Sequence, residues 1–128
     1  MPLLYLYIAV GGALGAIARF ALGGWIYGWS GAAFPWGTLV VNVSGSLLLG
    51  FLYVVLEGSP AAPQWRALLG IGFCGGFTTF STFGYEAARL LQGGQAGRAG
   101  VYMLTSALAS VAAAIAGFRL AATMLGRG

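Results

Sequence analysis

The stretch Gly72-Phe73-Cys74-Gly75-Gly76-Phe77-Thr78-Thr79-Phe80-Ser81-Thr82-Phe83 limits what this chain can fold into more than any other. It lies inside a hydrophobic span that runs from about Trp65 to Leu91. A membrane helix is ordinarily filled there with Leu, Ile, Val and Ala. Here paired glycines are followed by a run of hydroxyl and aromatic residues, all of which resist a regular helix. Backbone at membrane depth can leave the helix only where protein or a water-filled cavity satisfies its freed groups. An interruption near Gly75–Thr79 is therefore expected to serve an ion or substrate site. A packing kink would need only a single Gly or Pro.

Composition supports reading the segment at membrane depth. The chain has 128 residues, of which 59% are hydrophobic and 6% charged. A soluble domain carries about 25% charged residues. The charged residues are Arg19, Glu57, Arg66, Glu86, Arg89, Arg98, Arg119 and Arg127. The apolar runs between them are long enough to cross a bilayer, which takes ~20 residues. The fold class expected is an all-α membrane protein of one domain with four transmembrane helices, the third broken mid-membrane. The spans read as Leu3–Tyr27, Phe34–Leu56, Trp65–Leu91 and Arg98–Leu125. Trp25, Trp29, Trp36 and Trp65 fall near their ends, where interfacial aromatics belong. The opening Met-Pro-Leu-Leu-Tyr lacks a positive region and reads as the start of the first span, not as a cleaved signal. The net charge of +4 comes from scattered arginines, so no nucleic-acid partner is expected. The single cysteine, Cys74, reads as a small buried residue.

Small residues recur four apart: Gly11/Gly15, Gly12/Ala16, Ser46/Gly50, Gly72/Gly76 and Ala113/Gly117. This spacing puts both members on one helix face and allows close backbone approach. Four helices packed that tightly leave no central conduit, so a transporting chain of this kind must oligomerise. Orientation is ambiguous. One side would hold Arg66 and Arg127, with Arg119 just inside, and the other Arg89 and Arg98. The positive-inside bias is nearly tied. Either these span boundaries are displaced, or the chain inserts both ways round and pairs with an inverted copy of itself.

The polar residues within the spans form stripes. Thr38, Asn42 and Ser46 share one face of the second span, and Tyr102, Ser106 and Ser110 one face of the fourth. Ser81 and Thr82 follow the break in the third. Each has a structural alternative in interhelical or back-bonded hydrogen bonds. Together they read as a polar track. The chain has no His, Lys or Asp, which argues against acid–base catalysis and against zinc or iron sites. The ionisable candidates within the spans are Glu86, near the end of the third, and Arg19, towards the end of the first, each with a structural alternative, and Glu86 and Arg89 have the spacing of a local ion pair.

Hydroxyl and amide donors suit an anion. Phenylalanine does too, because its ring edge carries partial positive charge. Phe80 and Phe83, three apart, either aim ring edges into one pathway or simply pack. The carbonyls freed at the break favour a cation instead, as unwound helices do for sodium.

Three segments in order on three spans carry a family resemblance. They are Gly11-Gly12-Ala13-Leu14-Gly15-Ala16-Ile17-Ala18-Arg19, Gly37-Thr38-Leu39-Val40-Val41-Asn42, and Gly75-Gly76-Phe77-Thr78-Thr79-Phe80-Ser81-Thr82-Phe83. The sequence resembles the CrcB/Fluc fluoride-specific ion channels over nearly its whole length. Phe20 stands where members often have Tyr. The resemblance implies an antiparallel, dual-topology homodimer in the cell (inner) membrane, with two anion pathways through which fluoride leaves passively and its toxicity is relieved. It implies Phe80 and Phe83 as ring-edge ligands and Asn42 as an amide donor. Ser81, Thr82, Tyr102, Ser106 and Ser110 would lie along the track, with Arg19 giving a vestibule its positive potential. It also implies a structural, non-transported sodium ion held at the dimer centre by the backbone carbonyls of Gly75 and Thr78. Two rival readings are a small multidrug-type exporter and a non-transporting scaffold subunit. The exporter relies on a first-span carboxylate, and the only charged residue in this first span is Arg19.

Overall fold

The computed structural model describes residues 2–127. They form four helical spans: α1 (Pro2–Ser30), α2 (Trp36–Val55), a third span over Ala62–Gln92, and a final helix, α5 (Ala96–Met124). All four are long and apolar enough to cross a membrane, the arrangement of a multi-pass membrane protein. The boundaries agree with the sequence reading to within a few residues. Pro35 precedes α2, where its locked φ and missing N–H cost nothing, and Gly31, Gly58 and Gly94 take the left-handed turns in the connectors.

The third span comes in two halves. The first, α3 (residues 62–77), runs from Ala62–Trp65 through a π-helical stretch, Arg66–Cys74, into a last turn, Gly75–Phe77. The second is α4 (Ser81–Gln92). Thr78 turns extended at ψ 157° and ends the helix. The interruption is thus narrower and later than expected. Gly75 is still helical, at φ −64° and ψ −38°, and only Thr78, Thr79 and Phe80 lie outside. Paired glycines permit irregular backbone but do not compel it. The helix ends where side chains take over its hydrogen bonds, as described below.

Bare backbone holds the bundle together. A Cβ on Gly11 would strike the Leu68 carbonyl, and one on Gly15 the Phe73 carbonyl. Both glycines are buried. They let α1 lie directly on the π-helical stretch, which is wider than an α-helix. Gly76 abuts Gly12, Gly50 abuts Ala114, and Gly117 abuts Leu47. Each of the small-residue pairs thus puts a member at a backbone approach. In Gly12/Ala16 the contact is made by the Gly12 backbone, and a Cβ on Gly12 itself would have room. The order of these contacts shows α1 running parallel to α3. Leu39 clusters with Tyr102 at one end and Gly50 meets Ala114 toward the other, so α2 runs parallel to α5. Cys74 is buried, as expected for a small core residue.

Candidate functional site

The break is made by side chains. In a continuous helix the Gly75 carbonyl would accept from the N–H of residue 79, and the Thr78 carbonyl from that of residue 82. Neither bond forms. The Thr79 N–H donates instead to Asn42 Oδ1 at 2.7 Å, and the Thr82 N–H to Thr79 Oγ1 at 3.2 Å. Asn42 closes the bracket, with Nδ2 donating to the Thr79 carbonyl at 2.9 Å. The Thr78 hydroxyl caps the preceding turn by donating to the Cys74 carbonyl at 2.9 Å. Arg19 Nε donates to the Gly76 carbonyl at 3.2 Å, which ties α1 to the same turn. The carbonyls of Gly75 and Thr78 are thereby stripped of their helical donors.

Two cavities flank the break. One, of about 390 Å³, is lined by Asn42, Ser46, Thr78, Phe80, Phe83, Ser106, Ser110 and neighbouring apolar groups, with no charged side chain. Ser106 is buried, and its hydroxyl has no partner among the described residues. Phe80 is 84% exposed; its ring centroid lies 5.5 Å from that of Phe83, which in turn packs on Tyr102 with ring centroids 5.1 Å apart. The other cavity, about 230 Å³, is lined by Arg19, Thr38, Thr79 and Thr82 among others. The expected track residues are therefore divided. Asn42, Phe80, Phe83, Ser106 and Ser110 meet at one cavity. Thr82 joins Arg19 at the other. Ser81 is exposed at the head of α4 and lines neither. The second-span stripe divides too: Asn42 and Ser46 stay together at the larger cavity, where the Ser46 hydroxyl donates back to the Asn42 carbonyl at 2.8 Å, while Thr38 lines the other cavity and donates to Glu86.

Tyr102 belongs to a third cluster. Its hydroxyl donates to Glu86 at 3.3 Å, Tyr27 donates to the same carboxyl group at 2.6 Å, and Thr38 at 2.5 Å. Glu86 is thus held by one hydroxyl from each of three other spans. The Glu86–Arg89 pair expected from their spacing does not form. Among the described residues the ion pair is Arg127–Glu57, at 3.8 Å and exposed. Three hydroxyls inside the bundle satisfy Glu86 better than an arginine on the next turn of its own helix.

A family model described as CrcB-like protein, Camphor Resistance (CrcB), matches residues 6–118. The chain belongs to the CrcB-like family. The match covers most of the 128 residues, and every site residue named above falls inside it. This CrcB-like chain is 46% identical over 123 residues to a protein of Thermus thermophilus named Fluoride-specific ion channel FluC, covering 95% of this chain and 96% of that one. It is 50% identical over 119 residues to a protein of the same name from Syntrophotalea carbinolica, covering 90% and 94%. A third so named, from Acidobacterium capsulatum, is 48% identical over 103 residues, covering 80% and 82%.

Sequence reasoning missed the Glu86 cluster. Tyr27 lies near the end of α1, and nothing in its local sequence points across the bundle. The available signal is Glu86 itself, an acid in a span, which is expensive unless several groups satisfy it. The bracket on Thr79 is a second omission. The resemblance makes Asn42 a donor to a ligand, whereas here it bonds to backbone at both ends of its amide.

Proposed function

We propose that this chain is a fluoride-selective ion channel and not an enzyme, and that it exports fluoride passively from the cytoplasm. The whole chain serves as one four-span channel domain in the cell membrane. The observation that carries this reading is the cavity beside the break. It is lined by hydroxyls, an amide and two phenyl rings and lacks a charged side chain, and its wall includes Ser106, whose buried hydroxyl has no partner among the described residues. A small anion there meets donors and the positive edges of Phe80 and Phe83. No full positive charge traps it, so binding stays weak enough for exit. Arg19 sits outside that cavity, across the break. Its guanidinium raises the local concentration of anions without forming a deep well. The names of the relatives support the choice of fluoride.

The reading includes a dual-topology homodimer with two pathways. Phe80 stands almost wholly outside its own protomer, and Ser81 and Gly75 are exposed beside it. A second, inverted copy would cover them and complete the lining, and the near-tied arginine distribution suits insertion in both senses.

A structural sodium ion also fits the residues present. The carbonyls of Gly75 and Thr78 lack their helical donors, and all-oxygen backbone sites at broken helices suit a hard monovalent cation. Two copies would supply four such oxygens. When bound, the cation would neutralise carbonyl dipoles that are otherwise costly in a membrane interior. Asn42 and Thr79 prepare the site by withholding the two N–H groups.

The test of reaction type is fluoride efflux from liposomes at fixed gradient. The rate is expected to track the membrane potential and to be unchanged when the proton gradient is collapsed at constant potential. Efflux that stops on that collapse would mean proton-coupled exchange.

A further inference from the structure

Phe80 has little to hold it within its own chain. It is 84% exposed, and its aromatic neighbour is Phe83, tilted, with ring centroids 5.5 Å apart. The point from which the ring projects is therefore set by backbone. Thr79 contributes to two peptide planes, through its N–H on one side and its carbonyl on the other, and each plane is rigid. Asn42 bonds to both, at 2.7 and 2.9 Å. With both planes fixed and Phe80 at φ −93°, the Cα–Cβ direction of Phe80 follows.

The bracket is itself braced. The Asn42 carbonyl accepts from Ser46, and Gly45 is buried against Thr78 and Phe77, where a Cβ would strike the Thr78 methyl. Only that approach brings an amide as short as Asn within reach of Thr79. The chemistry also requires an amide. Asp keeps an acceptor for the N–H but loses the donor to the carbonyl, Ser keeps one short hydroxyl, and Ala keeps neither group.

We infer that Asn42 is a positioning residue: it pins both peptide planes around Thr79 and so fixes the Cα–Cβ bond from which the Phe80 ring projects, and its effect on ion flux is exerted through that ring. The inference rests on the reading that Phe80 faces the permeating anion. It differs from a role for Asn42 as an independent donor to that anion.

Two measurements test it on the full-length protein. In the first, 4-fluorophenylalanine is placed at position 80 and its ¹⁹F resonance recorded without fluoride. One narrow resonance is expected with Asn42, and a shifted, broadened or split one with Asn42→Ala. Asn42→Asp and Asn42→Ser are expected to fall between, and they carry the test should Asn42→Ala fail to fold. A resonance unmoved by every substitution that folds overturns the inference. The second is a double-mutant cycle on fluoride efflux. Asn42→Ser is expected to cost about tenfold with Phe80 present, as loss of a buried hydrogen bond does. It is expected to cost less than about threefold in a Phe80→Met background, because contacting groups that act as one are not additive. Equal losses in both backgrounds overturn the inference and make Asn42 an independent donor. A ¹⁹F response alongside flux indifferent to Phe80→Met and Phe80→Ile would leave the bracket standing and refute the channel role of the ring, separating the two claims.

Discussion

At the scale of single residues, the two phenyl rings differ in how they are held. Phe83 packs on Tyr102, whose hydroxyl is anchored to Glu86, while Phe80 projects from a pinned backbone. Both need the ring edge for the proposed role. Phe80→Ile and Phe83→Ile keep most of the volume and remove the polarised edge. Each is expected to lower fluoride efflux at least about tenfold, the equivalent of ~1.4 kcal/mol in the barrier, with the assembly intact by size-exclusion chromatography. Parent-like efflux in both variants would make the rings packing residues. Glu86 shows the same economy of polar groups. Its carboxyl group collects Tyr27, Thr38 and Tyr102, so a costly residue in a span becomes a tie between all four spans.

At the scale of elements, backbone-to-backbone packing holds α1 against α3. Gly15→Ala would drive a methyl group into the Phe73 carbonyl and toward the Phe77 N–H, neither of which can rotate away. The expected loss is about 1–3 kcal/mol, read as a lower thermal midpoint in detergent. Gly28→Ala, with nothing near its Cβ, is the control and should be near neutral. Much of this packing is legible in the sequence. The length of each apolar run sets the four spans, and small residues four apart mark the packing faces. The existence of the break is legible from its hydroxyl and aromatic run. Its position is not, because a helix ends where its N–H groups find better partners, and Asn42 lies 37 residues from Thr79. The bracket on Thr79 and the Glu86 cluster depend on contacts across the bundle that no local spacing encodes. The π-helical stretch Arg66–Cys74 has no sequence signature either. Its width is accommodated by glycines on a different helix.

At the scale of the whole molecule, one chain leaves its proposed site incomplete. Phe80 and Gly75 are exposed, and the carbonyls of Gly75 and Thr78 would supply only half of the proposed four-oxygen cation site. In the proposed dimer an inverted second copy would supply the rest, and that arrangement has a direct consequence. A tag at the C-terminus is expected to be labelled from both sides of the membrane, and tags on one side only would exclude the antiparallel pair. Removing sodium during purification is expected to abolish efflux, whereas full efflux without sodium, at unchanged dimer content, would exclude the cation's role. The central claim is selective, passive conduction of fluoride through a neutral, donor-lined path. Its most direct measurement is ion efflux from liposomes containing the purified protein, with fluoride and chloride compared at equal gradients. Rapid fluoride release with chloride release at the level of protein-free liposomes is the result expected. Chloride efflux as fast as that of fluoride, or no fluoride efflux from folded protein, would contradict it.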